Sequence, residues 1–190
     1  MDPDLTLDRR TGLPDALRVL LEEYPRAGWE NDPGFEGLIR FWLDRHLMFR
    51  KMLGMLQEEA EARIDGRIDP NRYSQHLARL GGRFVNELHG HHMIEDHHYF
   101  PVLAKKDARI ETGFELLDAD HHAIDPLLQH FADGANAVLR ADGDRRGRDA
   151  TGSFLQDLRR MDRLLDRHLT DEEELIVPVI LKYGAAGLPG

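Results

Sequence analysis

Six side chains recur at a spacing that suits metal chemistry. His46 is followed 45 positions later by His91, then by Glu95 four residues on and Pro101 six further. His121 is followed 47 positions later by His168, then by Glu172 four on and Pro178 six further. The pattern His…His-x3-Glu-x5-Pro thus occurs twice. On a helix, residues i and i+4 share a face, which stacks His91 with Glu95 and His168 with Glu172. All six fall on stripes that otherwise carry Leu, Ile, Phe and Met, so they point into an apolar interior. A lone buried carboxylate costs several kcal/mol or takes up a proton. No Lys or Arg shares these faces at that level, so the compensating charge expected is a metal ion. Any one of the histidines alone would read as an ordinary packed side chain; the matched set does not. Six nitrogen and oxygen donors exceed the four of a closed structural zinc site. They suffice for two ions about 3.5–4 Å apart that share the glutamates, with positions left for water or a small oxidant. Imidazole with carboxylate suits iron, with manganese or zinc as substitutes.

The elements that must position these groups are helices. Ile39, Trp42, His46, Phe49, Leu53 and Leu56 step by three and four, and so do Leu77, Leu80, Phe84, Leu88, His91 and Glu95. A third stripe holds Phe114, Leu117, His121, Ile124, Leu128 and Phe131, and a fourth runs from Phe154 through Leu158, Met161, Leu165, His168, Glu172 and Leu175 to Val179. Asp69-Pro70 reads as a cap followed by a first helical residue. A polar stretch, 141–151, is expected to connect the last two helices. Sustained strand patterning is missing. The expected fold class is all-α, an antiparallel up-down-up-down four-helix bundle over residues 35–183. It is preceded by an extension, 1–34, with a short helix near 14–23 and a Gly/Pro/Asn-rich loop at 28–34, and followed by a flexible tail, 184–190.

Composition narrows the function classes. The chain has 190 residues, no cysteine and a formal net charge of −10. Thiolate nucleophiles, disulfides and thiolate-held clusters are excluded, and a polyanion such as nucleic acid would be repelled on average. The start MDPDLTLDRR has no apolar signal region, and the longest apolar run, 175–181, contains a proline and is too short to span a bilayer. A soluble, cytoplasmic protein without membrane or nucleic-acid partners is expected.

At this point the sequence resembles the hemerythrin-like (HHE cation-binding) domains, in the class patterned H-HxxxE-H-HxxxE. The matching residues are His46, His91-His92-Met93-Ile94-Glu95, His121 and His168-Leu169-Thr170-Asp171-Glu172. The stretches HHMIEDHHYFP and HLTDEEELIVP are similar to the family's second and fourth helices. The resemblance implies a non-haem di-iron centre, two Fe2+/Fe3+ ions with an oxo or hydroxo bridge. His46, His91, His121 and His168 would be terminal ligands and Glu95 and Glu172 bridges. It implies a diatomic or peroxide ligand (O2, NO or H2O2) that is bound, sensed or reduced, with a redox partner protein as a further expectation. The alternative is an iron-handling module that stores or donates iron, including to damaged iron centres, without catalysis. No dedicated acid or base outside the ligand set is identifiable, and the oligomeric state is not encoded in any motif. One departure matters. Oxygen carriers of this family place a second histidine one turn after the third-helix histidine, where this chain has Asp125.

Neighbouring residues receive plainer readings. His122, His89, His97 and His76 are expected at the surface or rim. His92 and Asp96 form a second i,i+4 pair rotated by one residue, with His92 as an outer hydrogen-bonding partner. The single Glu95-x-x-His98 match to ferritin-like sites reads as incidental. Tyr99 and Tyr183 are open candidates for proximity to the metals. Pro101 and Pro178 are expected to kink their helices. The acidic run 171–174, apart from Glu172, reads as a solvated face. Trp42, Phe49, Phe84, Phe114 and Phe131 are core residues that would keep the centre dry.

Overall fold

The computed structural model describes residues 3–35 and 37–188 and, among them, contains helices and turns but no strand. The helices are α1 (Val19–Glu23), α2 (Leu38–Ile64), α3 (Pro70–Ile94), α4 (Phe100–Leu103), α5 (Glu111–Arg140) and α6 (Asp144–Tyr183). Local chemistry sets their ends. The Asp69 carboxylate accepts the Arg72 N–H at 2.9 Å, and Pro70 occupies the first helical position, where no N–H is needed. Gly66, at φ 72°, turns the chain between α2 and α3. The polar connector expected over 141–151 is shorter than that, because α6 already begins at Asp144. Its first turns supply their own partners. Arg148 pairs with Asp144, and the Thr151 hydroxyl donates to the Gly147 carbonyl at 2.7 Å.

The helix expected near 14–23 is divided into a 3-10 turn, Asp15–Leu17, and the five-residue α1. Tyr24 then leaves helical space (φ −126°, ψ 72°), as a residue preceding proline tends to. Most of the loop expected at 28–34 is a further 3-10 segment, Arg26–Asn31, with Trp29 buried. At the other end, Leu188 packs partly buried against apolar core, while residues 189 and 190 of the expected tail lie outside the described residues.

The chain forms two compact units. One comprises Met1–Leu47, His91–Ala123 and Asp166–Gly190; the other comprises Met48–Gly90 and Ile124–Leu165. Within the second, an aromatic series crosses its four helical segments, Phe49 to Phe84 to Phe131 to Phe154, with neighbouring ring centroids 5.2–6.3 Å apart. A Cβ on Gly134 would stand 2.9 Å from the Phe154 ring, so a side chain there would displace it. Within the first, Leu13, Leu20 and Trp29 of the amino-terminal segment share one apolar cluster with Ile39, Phe100, Phe114 and Ile176. In the second unit the α2 and α3 segments run antiparallel: Phe49 meets Phe84 and, further along, Glu59 meets His76.

The prolines behave differently from one another. Ahead of Pro101 the helix widens into a π turn, Glu95–Tyr99, before α4 resumes. A proline has no N–H to give and its ring crowds the preceding turn, and an added residue in that turn relieves both. Around Pro178, α6 continues without interruption to Tyr183. Among the described residues, no helix is long and apolar enough to cross a membrane.

Candidate metal centre

All six residues singled out by spacing lie in the first unit and are buried: His46 on α2, His91 at the end of α3, Glu95 opening the π turn, His121 on α5, and His168 and Glu172 on α6. They gather with His92 into two groups. His46, His91, Glu95 and Glu172 offer atoms all within 4.8 Å of one another, and so do His92, His121 and His168. In each group two imidazoles aim Nε2 at Nε2, His46 at His91 and His121 at His168, both at 3.2 Å. The carboxylates span the groups. Glu172 Oε2 is 3.5 Å from Nε2 of both His46 and His168. Glu95 sets one oxygen 2.9 Å from His91 Nε2 and the other 3.6 Å from His121 Nε2.

Behind three of the histidines stands a carboxylate. The Nδ1–H of His46 donates to Glu173 at 3.0 Å, that of His121 to Asp96 at 2.7 Å, and that of His168 to Asp120 at 3.2 Å. Such a bond fixes the tautomer and leaves the Nε2 lone pair facing inward. Two of these carboxylates are held in turn by arginines of the amino-terminal segment. Arg26 donates to Glu173 at 2.9 Å. Arg10 grips Asp120 with both terminal nitrogens, one at 2.6 Å, and donates through Nε to Asp171 at 2.7 Å. Arg167 also pairs with Asp171 and donates to the Thr11 carbonyl at 2.6 Å.

These contacts overturn two expectations. A cation does reach this level, because the buried Arg10 arrives from outside the four stripes. The acidic run is not a solvated face: Asp171 and Glu173 are buried on either side of Glu172, each satisfied by arginine. His92 also departs from its expected role. It is 3% exposed, has no hydrogen-bond partner at either ring nitrogen, and stacks on His121 with centroids 4.0 Å apart and planes 11° from parallel. The clue in the sequence was adjacency. His92, Asp96, Asp120 and Glu173 each sit next to one of the six residues, but only Arg10 and Arg26 are without any local signal.

The remaining candidates separate cleanly. His89, His97, His98 and His122 are exposed, with His122 bonded to its own helix at the Asp118 carbonyl. His76 is half-buried against Glu59. Asp125 is exposed, so the fifth imidazole near this cluster comes from α3, as His92, and not from α5. Tyr99 is buried edge-on to Trp42 at 4.6 Å, beside Glu95. Tyr183 lies elsewhere, its hydroxyl donating to Asp107 at 2.8 Å.

The electrostatics test whether these residues fit a cation. Burial pushes Glu95 and Glu172 each up to about 8, and the neighbouring Glu95 carboxylate adds to the shift of Glu172. Burial also lowers His91 to about 4 and takes His92 and His168 well below the ordinary imidazole value. Both Glu95 oxygens and Glu172 Oε2 lack a hydrogen-bond partner, while Trp42 Nε1 serves Glu172 Oε1 at 2.7 Å. Imidazoles with inward-facing Nε2 atoms, three of them disfavoured as cations by burial, beside buried carboxylate oxygens that lack a partner make a donor set suited to a cation. Two nitrogens about 2.1 Å from one ion and at right angles would lie about 3 Å apart, close to the 3.2 Å found. The residues fit.

A pH dependence follows for the metal-free chain. Carboxyls raised in the folded state hold protons that the unfolded chain gives up, so stability falls as pH rises from the unfolded value of 4.5 towards 8. The lowered histidines act oppositely, but only below their unfolded value of 6.5. Between pH 6.5 and 8 the carboxyls act alone, and thermal melts should show a loss on the order of 1–2 kcal/mol per pH unit. A bound metal ion should remove it. A flat profile would mean these carboxyls are not protonated in the folded, metal-free chain.

Comparison with known proteins bears on the same residues. Neither the curated proteins nor the solved structures searched contain a match of significance. The model of the hemerythrin HHE cation-binding domain matches residues 37–180, a span that holds both donor groups and the turns between them. With three-quarters of its length matched and the histidine–glutamate clusters buried where a cation would lie, this chain belongs to the hemerythrin HHE cation-binding domain family.

Proposed function

We propose that this protein is a non-haem di-iron protein that binds, senses or reduces a small oxidant, O2, NO or H2O2, at a carboxylate-bridged centre. The observation that carries the reading is the span of Glu95 and Glu172 across two neighbouring imidazole groups, with both Glu95 oxygens and Glu172 Oε2 otherwise unpartnered. His46, His91, Glu95 and Glu172 would hold one ion, and His92, His121 and His168, sharing the two glutamates, the other. When bound, such a pair supplies one-electron steps and open positions for a small ligand. The chain's own part is to hold, orient and dry the site. Asp96, Asp120 and Glu173 fix three imidazole tautomers. Phe100 stacks on His121 at 5.4 Å, and Trp42 covers Glu172. Five imidazoles with two carboxylates make a nitrogen-rich, low-charge set, which suits iron.

Elemental analysis of the purified chain should find two equivalents of iron. Stopped-flow mixing of the reduced protein with each oxidant should give a spectral change with at least one of them. Silence with all three removes the reading. Loss of iron to a competing chelator within minutes would favour iron delivery instead.

A further inference from the structure

A cleft of about 850 Å³ opens in the first unit between α2 and the π turn. A water occupies about 30 Å³ of liquid, and a diatomic gas or peroxide is of similar size. The cleft is therefore many times larger than the ligands considered above need, and falls within the 300–1,000 Å³ of sites for organic molecules. Its floor is formed by His91 and Glu95, the outer edge of the donor set. Its walls are apolar or aromatic: Phe41, Trp42, Ile94 and Tyr99. Two of them, Phe41 at 61% and Ile94 at 49% exposure, are among the largest apolar surfaces left open to solvent. The half-buried Arg45 also lines it, as does the exposed His98. A guanidinium beside an apolar wall suits a negative head on an apolar body, through a charge-assisted hydrogen bond. The π turn contributes three lining residues, Glu95, His98 and Tyr99, so the widened turn shapes both the donor set and the cleft.

We propose that this cleft binds an organic monoanion with an apolar chain or ring, its body against Phe41, Trp42 and Ile94 and its head paired with Arg45. The proposal deepens the reading of the centre and rests on it for what the molecule faces, the His91/Glu95 edge; binding itself is measured without reference to turnover.

The test uses the full metal-loaded chain and isothermal titration calorimetry with three probes: decanoate, decanol and acetate, all below micellar concentration. Decanoate should bind one per chain, about tenfold or more tighter than either of the others, since a charge-assisted bond and apolar burial are each needed. Arg45→Gln should weaken decanoate about tenfold and leave decanol unchanged. Ile94→Trp, which fills the mouth from an exposed position, should abolish decanoate binding while metal content stays at the unmodified level. Equal affinity for decanol and decanoate, no saturable heat with decanoate, or full binding to Ile94→Trp would each overturn the proposal. Metal content of the same samples separates the two readings. A chain that binds decanoate without metal keeps the cleft and loses the centre; one that holds metal and ignores decanoate does the reverse.

Discussion

Glu172→Gln is expected to lose metal and gain stability as a metal-free protein. Its Oε2 lies 3.5 Å from the Nε2 of one histidine in each donor group, so it serves both halves of the centre. The amide keeps the shape of the side chain and removes the charge that two cations would require. Metal content by elemental analysis should fall from two equivalents to one or fewer. Affinity in a chelator competition should fall by more than the roughly 100-fold that loss of an outer partner costs. Meanwhile the substitution removes a carboxyl that burial and Glu95 drive up to about 8, so the metal-free chain should melt higher than the unmodified one at pH 8. Glu95→Gln should behave alike, since its two oxygens reach His91 and His121. The opposite signs are the diagnostic feature, because an ordinary core polar residue would lose stability and leave metal content alone. Full metal loading in either variant would refute the bridging assignment.

That the burial of the two glutamates could be read without coordinates reflects where that information lies. Helical stripes, the Asp69-Pro70 cap and the His-x3-Glu spacing are local, and a periodicity of three and four states which face is buried. The outer residues were obscured because a position adjacent to a ligand sits about 100° around the helix, where a single amphipathic helix meets water. Around a centre enclosed by several helices, these flanks meet a neighbour instead. His92, Asp120 and Glu173 are therefore buried although each lies one residue off its stripe. The acidic run 171–174 misled for the same reason, since its composition suggests solvent while two of the arginines that neutralise it, Arg10 and Arg26, lie far away in sequence. Arg10 is separated from Asp120 by 110 positions and from Asp171 by 161. No periodicity connects them; only the packing of the amino-terminal segment does.

Arg10→Gln tests that connection and should be the most damaging substitution outside the donor set. Arg10 is 7% exposed and joins Asp120 and Asp171, carboxylates that are themselves buried. Burial raises both acids despite the guanidinium, so little margin remains once it is gone. Breaking a buried pair leaves an uncompensated charge at a cost of about 3–5 kcal/mol. At about 2–4 °C per kcal/mol for a chain of this size, the melting temperature should fall by roughly 10 °C. Asp120 also orients His168 through Nδ1, so metal affinity should drop about 10–100-fold under conditions where the variant remains folded. Arg10→Lys should recover part of the stability and less of the affinity, because an ammonium cannot replace the planar fork that holds both acids. Arg26→Gln supplies the contrast. It faces Glu173 and, through it, His46, but its side chain is 47% exposed, and solvent screening leaves such a pair worth about 1 kcal/mol or less. If the two substitutions were equally mild, Arg10 would be a surface contact in effect, and the amino-terminal segment would have no hold on the centre.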